Sequence, residues 1–150
     1  MRALIQRVSS ASVEVGGKFT GEIGKGLLVL LGVAEQDEPK DLDYLTKKVP
    51  LLRIFPDAEG KMNLSVQEAG GALLVVSQFT LIADTAKGNR PSFIGAARSE
   101  KAIPAYEEFV SRMRAGGIKV ETGIFGADMK VSLVNDGPVT ILLDSRDGRA

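Results

Sequence analysis

The chain has 150 residues, of which 44% are hydrophobic and 25% are charged, and it contains no histidine and no cysteine. Its 19 basic and 19 acidic residues cancel, so no overall positive field would draw it onto nucleic acid. The missing residue types exclude a Ser-His-Asp or Cys-His catalytic device and argue against a zinc site. We expect one globular domain over residues 1–150. Any catalysis by it must use backbone dipoles, carboxylates, lysines or groups of the substrate.

No segment of the sequence has the character of a targeting signal or a membrane span. The first residues, MRALIQRVSS, lack the apolar core of a signal peptide. The longest apolar stretch, residues 26–34, is far shorter than the roughly 20 residues that a membrane helix needs. We therefore expect a cytoplasmic protein that does not associate with membranes.

The first part of the chain is predicted to form strands. A partly alternating pattern indicates a strand over residues 8–15, and Gly16-Gly17 is typical of a hairpin turn. A second strand is expected over residues 19–23. The short apolar run over residues 26–33 is bounded by glycine and favours a third, buried strand.

Two helices are expected. Asp37-Glu38-Pro39 supplies a cap, an acid and a first-turn proline for the first helix, and Pro50 should bend or end it. Gly116-Gly117 should end the second. Apolar residues at helical spacing mark the buried faces, namely Leu42, Leu45, Val49 and Leu52 in the first helix and Tyr106, Phe109, Val110 and Met113 in the second.

The remaining pattern again predicts strands, separated by a turn at residues 57–61. A buried strand is expected over residues 71–79, and a solvated tail over residues 145–150. Three further strands are predicted over residues 118–122, 129–134 and 139–143. Strands dominate, so the predicted fold class is α+β, with a curved, barrel-like sheet of mixed or antiparallel strands and two main helices.

Polar side chains end the predicted strand over residues 71–79, where Ser77, Gln78 and Thr80 flank Phe79. Such groups commonly bond to local backbone, and Phe79 would by default be a core residue. Alternatively, a strand end exposes backbone N–H groups that could bind an oxyanion together with Gln78 or a hydroxyl. Thr80 as a nucleophile is a sharper hypothesis, although no base is visible beside it.

Two loops carry further candidates. Lys87 and Arg90 flank a glycine and an asparagine, and such cations are usually solvated but could equally hold a phosphate. Residues 135–140, NDGPVT, predict a turn between two strands. Only about 5 to 6% of X-Pro bonds in folded proteins are cis, so the pattern alone favours an ordinary reverse turn at Gly137-Pro138.

The segments SQFTL at residues 77–81 and NDGPVT at residues 135–140 resemble the two signature motifs of the D-aminoacyl-tRNA deacylases. Two separated motifs in the expected order are more specific than either motif alone. Five other segments resemble the family in the same order, so that the resemblance covers nearly the whole chain: RVSSASVEV, GLLVLLGV, GKMNLS, KGNRPSF and TGIFGADM.

The resemblance implies a homodimer that hydrolyses the ester between a D-amino acid, or glycine, and the terminal ribose at the acceptor end of tRNA, and that spares L-aminoacyl esters. By similarity, Gly137-Pro138 is a cis peptide that enters the other subunit's pocket and excludes an L side chain. Ser77 to Thr80 would form the opposite wall, with Phe79 near the terminal adenosine. Similarity also implies that Phe125 and Met129 line the pocket, and that Arg7 braces the Gly-Pro element.

Hydrolysis of an aminoacyl-tRNA ester is possible without a histidine in the protein. Neither a cofactor nor a metal is expected. An aminoacyl ester is activated, its ribose offers a neighbouring 2′-hydroxyl, and positioning alone contributes roughly 7 to 11 kcal/mol to lowering a barrier. Two alternatives remain open. One is a hydrolase that uses Thr80 as its nucleophile, and the other is a non-catalytic RNA-binding module in which Lys87 and Arg90 make the contact.

Overall fold

The computed structural model of the chain describes residues 1–147, which form a strongly curved mixed sheet with two helices. The strands are β1 (Arg2–Val15), β2 (Lys18–Ile23), β3 (Gly26–Gly32), β4 (Phe55–Pro56), β5 (Met62–Leu64), β6 (Ala72–Ser77), β7 (Val120–Thr122) and β8 (Lys130–Asp144), and the helices are α1 (Pro39–Lys48) and α2 (Ser99–Ala115). The α+β class predicted from the sequence is confirmed.

The long strand β1 organises the sheet. One of its edges pairs antiparallel with β3 in its first half and with β2 in its second half, and the other edge pairs with β8. β3, β6 and β7 then continue in parallel. The end strands β2 and β7 approach so closely that a Cβ on Gly21 would lie 2.5 Å from the Thr122 carbonyl oxygen. The sheet is therefore nearly closed into a barrel.

The continuous apolar runs of β3 and β6 are explained by burial on both faces. Leu27 and Leu73 point toward the helices, where they join the core that includes Phe109 of α2. Leu28 and Leu74 point to the other face and join the core inside the curved sheet. Strands covered on both faces lose the polar alternation of half-exposed strands.

The predicted start of the first helix and the predicted end of the second are confirmed, since α2 ends at Ala115 just before Gly116-Gly117, but Val49 and Leu52 lie beyond the end of α1. α1 starts at Pro39, and the preceding residue, Glu38, forms a reciprocal capping box with Asp41. The helix ends at Lys48 and tightens into a 3-10 turn over Val49–Leu51, which contains Pro50. No helix among residues 1–147 is both long and apolar enough to cross a membrane.

The prediction of two strands joined by a reverse turn at residues 135–140 is wrong. β8 runs without interruption through this segment, because its pairing with β1 resumes on both sides. Gln6 pairs with Thr140 and Val8 pairs with Asn135, so four residues of β8 lie opposite a single residue of β1. Residues 136–139 therefore bulge out of a ladder that stays in place on either side.

Both ends of the sheet differ from expectation. The first strand begins at Arg2 and not at residue 8, because its first residues pair on both edges. Ser145 was expected in a solvated tail but is buried. Its hydroxyl accepts a hydrogen bond from the Met1 amino group at 2.7 Å and donates one to Asp41 at 2.6 Å. Arg146 and Asp147 are exposed, and residues 148–150 lie outside the described part of the chain.

Candidate functional site

A cleft of about 310 Å³ opens where β6 ends. One wall is the polar segment that follows this strand, the other wall is the segment between β7 and β8, and α2 closes the bottom. The residues that line it are Leu31, Val33, Val76, Ser77, Gln78, Phe79, Ala97, Ala102, Tyr106, Phe125, Gly126, Ala127, Asp128, Met129 and Val131. The structure thus brings together five of the residues predicted for the site.

The two walls diverge from one point in the sheet. β6 and β7 pair in parallel up to Val75 opposite Thr122, after which one chain continues to Ser77 and the other leaves at Gly123. The Val75 carbonyl oxygen accepts a hydrogen bond from the Gly123 amide at 3.4 Å and a shorter one from the Tyr106 hydroxyl at 2.8 Å. The carboxyl ends of parallel strands are the usual place for a site in such sheets.

The polar wall is formed by Ser77, Gln78 and Phe79, and a short 3-10 turn over Phe79–Ile82, which includes Thr80, begins at its end. The first internal bond of the turn runs from the Leu81 amide to the Gln78 carbonyl oxygen at 3.2 Å, so the preceding amides of Phe79 and Thr80 have no acceptor within the turn. The Gln78 side-chain amide donates to the Thr80 hydroxyl. Backbone donors and one amide side chain are therefore grouped at this end of the strand.

Phe79 is not a core residue, contrary to the default expectation. It is 56% exposed, and its ring packs edge-on against Phe93 with centroids 5.0 Å apart. An aromatic face held at the rim of a cleft, and not in the interior, offers a surface on which a flat ligand can stack.

The opposite wall is built around Phe125 and Met129. The Phe125 ring packs edge-on against Tyr106 with centroids 5.9 Å apart. A Cβ on Gly123 would lie 2.4 Å from the Met129 sulfur, so the absence of a side chain at residue 123 allows Met129 to lie where it does. This wall is mainly apolar and depends on close packing at the fork between the strands.

The cleft contains few ionisable groups. Among the described residues that line it, only Asp128 and Tyr106 can ionise, and Asp128 is exposed at the rim. Burial raises the pKa of Tyr106 to about 12, so its hydroxyl stays protonated and remains a donor at neutral pH. Thr80 is bonded to a neutral amide, which cannot remove its proton in either orientation of the Gln78 side chain.

Gly137 and Pro138 lie outside this cleft, in the bulge of β8, and both are exposed. The peptide bond between them is cis. The Arg7 guanidinium donates to the Asp136 carbonyl oxygen at 3.0 Å and to the Ile54 carbonyl oxygen at 2.6 Å. Arg7 therefore ties the base of the bulge to the neighbouring loop.

Lys87 and Arg90 are exposed in the loop that follows the polar wall. The loop is closed by paired backbone bonds between Asp84 and Ser92, both at 2.8 Å. Phe93, the next residue, is the one that packs against Phe79. The two cations thus belong to a loop that is anchored at the rim of the cleft but do not line it.

Sequence reasoning did not identify Ala102, Tyr106 and Asp128 as site residues. The helical spacing correctly indicated that Tyr106 faces inward, but inward spacing does not distinguish a core position from the bottom of a cleft. Its hydroxyl was the available signal, because a buried tyrosine needs a partner for its O–H group.

Proteins of one family match this chain over nearly its whole length. The D-Tyr-tRNA(Tyr) deacylase family profile matches residues 4–144. D-aminoacyl-tRNA deacylases of Desulfatibacillum aliphaticivorans and Anaeromyxobacter dehalogenans are each 61% identical over 146 residues, which is 97% of this chain and 100% and 98% of theirs.

Solved structures show the same fold. That of a c-Myc DNA Unwinding Element Binding Protein aligns with a TM-score of 0.90 and 42% identity over 96% of this chain and 98% of its own. A probable eukaryotic D-amino acid tRNA deacylase has 20% identity and shares the fold, with a TM-score of 0.76 over 95% and 98% of the two chains. From the family match and the near full-length identity, the chain belongs to the D-Tyr-tRNA(Tyr) deacylase family.

Proposed function

We propose that this chain, as a single domain in the cytoplasm, hydrolyses the ester bond of D-aminoacyl-tRNA and of glycyl-tRNA and releases the free amino acid and tRNA. Membership of the family supports the reaction. The observation that carries the proposal is the cleft itself, whose two walls come from the SQF and FGADM segments. It offers backbone donors, one amide and apolar surface to an ester.

The catalytic groups proposed are the backbone amides of Phe79 and Thr80, together with Gln78 and the Ser77 hydroxyl. Donors placed at a strand end can stabilise the negative charge that develops on the ester carbonyl oxygen. The proton transfers are assigned to the ribose 2′-hydroxyl of the substrate, because the cleft contains no base beside Thr80. No cofactor or metal is required by this scheme.

Each active site is proposed to need two chains. Gly137 and Pro138 are exposed and lie outside their own chain's cleft, which suits a role in the cleft of a second copy. β8 pairs only with β1 among residues 1–147, and its side chains Val134 and Leu142 are 57% and 55% exposed. An open edge with exposed apolar side chains is a suitable surface for self-association. Arg7 would hold the bulge in position for the partner.

The test is release of D-tyrosine from D-tyrosyl-tRNA by the purified protein and by its Thr80→Ala variant. We expect turnover by both, because backbone and substrate groups carry the chemistry and Thr80 is secondary. Removing a true nucleophile costs several orders of magnitude, so a loss of that size would instead identify Thr80 as the catalyst. The absence of turnover by the unmodified protein would favour the non-catalytic RNA-binding alternative.

A second prediction concerns the loop that bears Lys87 and Arg90, which we propose contacts tRNA phosphates. Lys87→Ala and Arg90→Ala should each weaken tRNA binding and lower the slope of log affinity against log salt by about 1, because each phosphate contact releases counterions. Lys48→Ala is the matched control, since Lys48 is exposed on α1 and does not line the cleft. Unchanged salt slopes in the loop variants would show that these cations are only solvated.

A further inference from the structure

The Tyr106 hydroxyl lies at the fork from which both walls of the cleft diverge. It donates to the Val75 carbonyl oxygen at 2.8 Å, on the last residue of β6 that pairs with β7. Ser77 of the polar wall follows two residues later, and Gly123, which starts the other wall, donates to the same oxygen at 3.4 Å. The Val75 carbonyl group therefore accepts one hydrogen bond from α2 and one from the start of the apolar wall. It belongs to β6, the strand that leads into the polar wall.

The ring of the same side chain contacts the apolar wall. Its edge-on contact with Phe125, at 5.9 Å between centroids, connects α2 to the segment that also contains Met129. Behind this pair of rings lies a second cleft of about 400 Å³, whose lining includes the polar side chains Glu107, Ser111 and Arg114. The two rings line both clefts and form the partition between them.

We infer that Tyr106 is a positioning residue that fixes the separation between the two walls of the cleft. Its hydroxyl holds the end of β6, and its ring holds Phe125, so one rigid side chain sets the distance from the backbone amides of the polar wall to the apolar wall. A misplacement of the ester by about 1 Å costs roughly 100-fold in rate, so a small change in this separation is sufficient to affect turnover. This inference rests on the proposed hydrolysis of D-aminoacyl-tRNA.

The hydroxyl is well suited to this role. Tyr106 is 7% exposed, and its bond to the Val75 carbonyl oxygen and its contact with the Phe125 ring limit the movement of its own ring. Loss of the hydroxyl would leave the Val75 carbonyl oxygen with its bond from the Gly123 amide, so the carbonyl group is not left unsatisfied. The fold is therefore expected to survive removal of the hydroxyl, while the cleft loses the shorter of the two bonds at its fork.

The experiment compares Tyr106→Phe with Tyr44→Phe in steady-state hydrolysis of D-tyrosyl-tRNA at 25 °C. Tyr44 is the only other tyrosine in the sequence, packs at the edge of the core and does not line the cleft, so it controls for loss of a hydroxyl as such. We expect kcat of Tyr106→Phe to fall by about tenfold or more, with KM changed by less than about threefold, because the ester is misplaced while the tRNA contacts remain.

The outcomes are distinct. A normal kcat with a lowered melting temperature would assign Tyr106 a purely structural role and overturn the inference. A Tyr106→Phe variant that no longer folds would also overturn the inference, because the hydroxyl would then be required for the stability of the core and not for the geometry of the cleft. An equal fall in kcat for Tyr44→Phe would also contradict it. Failure of the unmodified protein to release D-tyrosine would contradict the proposed function itself, which is a separate result.

Discussion

D-tyrosyl-tRNA is expected to be hydrolysed at least ~100-fold faster than L-tyrosyl-tRNA charged on the same tRNA. The two enantiomers exchange the positions of the side chain and the hydrogen on the α-carbon. If Gly137 and Pro138 of a second chain close the cleft over the α-carbon, only hydrogen can occupy the side that faces them. The measurement is the rate of amino acid release from each ester, after subtraction of its spontaneous hydrolysis.

Glycyl-tRNA is the natural control for this steric explanation. Glycine has no side chain to reject, so its ester should be cleaved together with D-tyrosyl-tRNA. Equal rates on the D- and L-tyrosyl esters would contradict chiral selection. Cleavage of D-tyrosyl-tRNA without cleavage of glycyl-tRNA would show that the protein recognises the D side chain directly and does not act by excluding the L side chain.

Removal of the 2′-hydroxyl from the terminal ribose is expected to slow enzymatic hydrolysis by roughly 100-fold or more, the range found for a lost general acid or base. The cleft supplies donors for an oxyanion but no histidine, and the Thr80 hydroxyl is paired with the neutral Gln78 amide. In the proposed mechanism, the neighbouring ribose hydroxyl moves the proton beside the ester. The substrate is tRNA ending in 2′-deoxyadenosine and charged at its 3′ position with D-tyrosine.

Binding of the deoxy substrate should change little, because its shape and phosphates are retained. Competition against the ordinary substrate measures this binding independently of turnover. Spontaneous hydrolysis must be subtracted for each ester, since the 2′-hydroxyl also affects uncatalysed cleavage. If the corrected rates on the two substrates are equal, assistance by the substrate is wrong, and a protein side chain such as Thr80 or the rim carboxylate of Asp128 must be the proton acceptor.

Several regular elements of this fold could be predicted because their signals are local, whereas the short strands β4 and β5 were not predicted. Gly16-Gly17 marked a hairpin, Pro39 marked a helix start, and glycines bounded the apolar run that became β3. The first residues of β1 were missed because their burial depends on pairing with β8, whose partner residues lie at the other end of the sequence. A pattern in residues 2–7 alone contains no information about that partner.

The segment at residues 135–140 shows a different limit of prediction from sequence. Turn-forming residues such as Asn135, Asp136 and Gly137 correctly indicated that the backbone departs from a regular ladder. Residue preference could not distinguish a turn that reverses the chain from a bulge that lets the strand continue. That difference is set by β1, which pairs with β8 on both sides of the bulge.

The polar wall of the cleft could be located from sequence, because hydroxyl and amide side chains that end an apolar strand are visible as a motif. The exposure of Phe79 could not be predicted, since a phenylalanine beside a buried strand is usually internal and its place at the rim depends on Phe93. Tyr106 was assigned correctly to a buried helical face. Its position at the fork of two strands depends on tertiary packing, which no local pattern encodes.

The pairing of β1 with β8 has a consequence for how the protein is made. Arg2 pairs with Asp144, so β1, which leaves the ribosome before β8, cannot complete its ladder until residue 144 has been synthesised. Contacts between such distant residues slow folding, because the intervening loop must close before they can form. Until then the 14 residues of β1 present an open edge, which is the kind of edge that pairs with other chains. A chain that stops short of β8 would keep that edge permanently, and aggregation is the expected result.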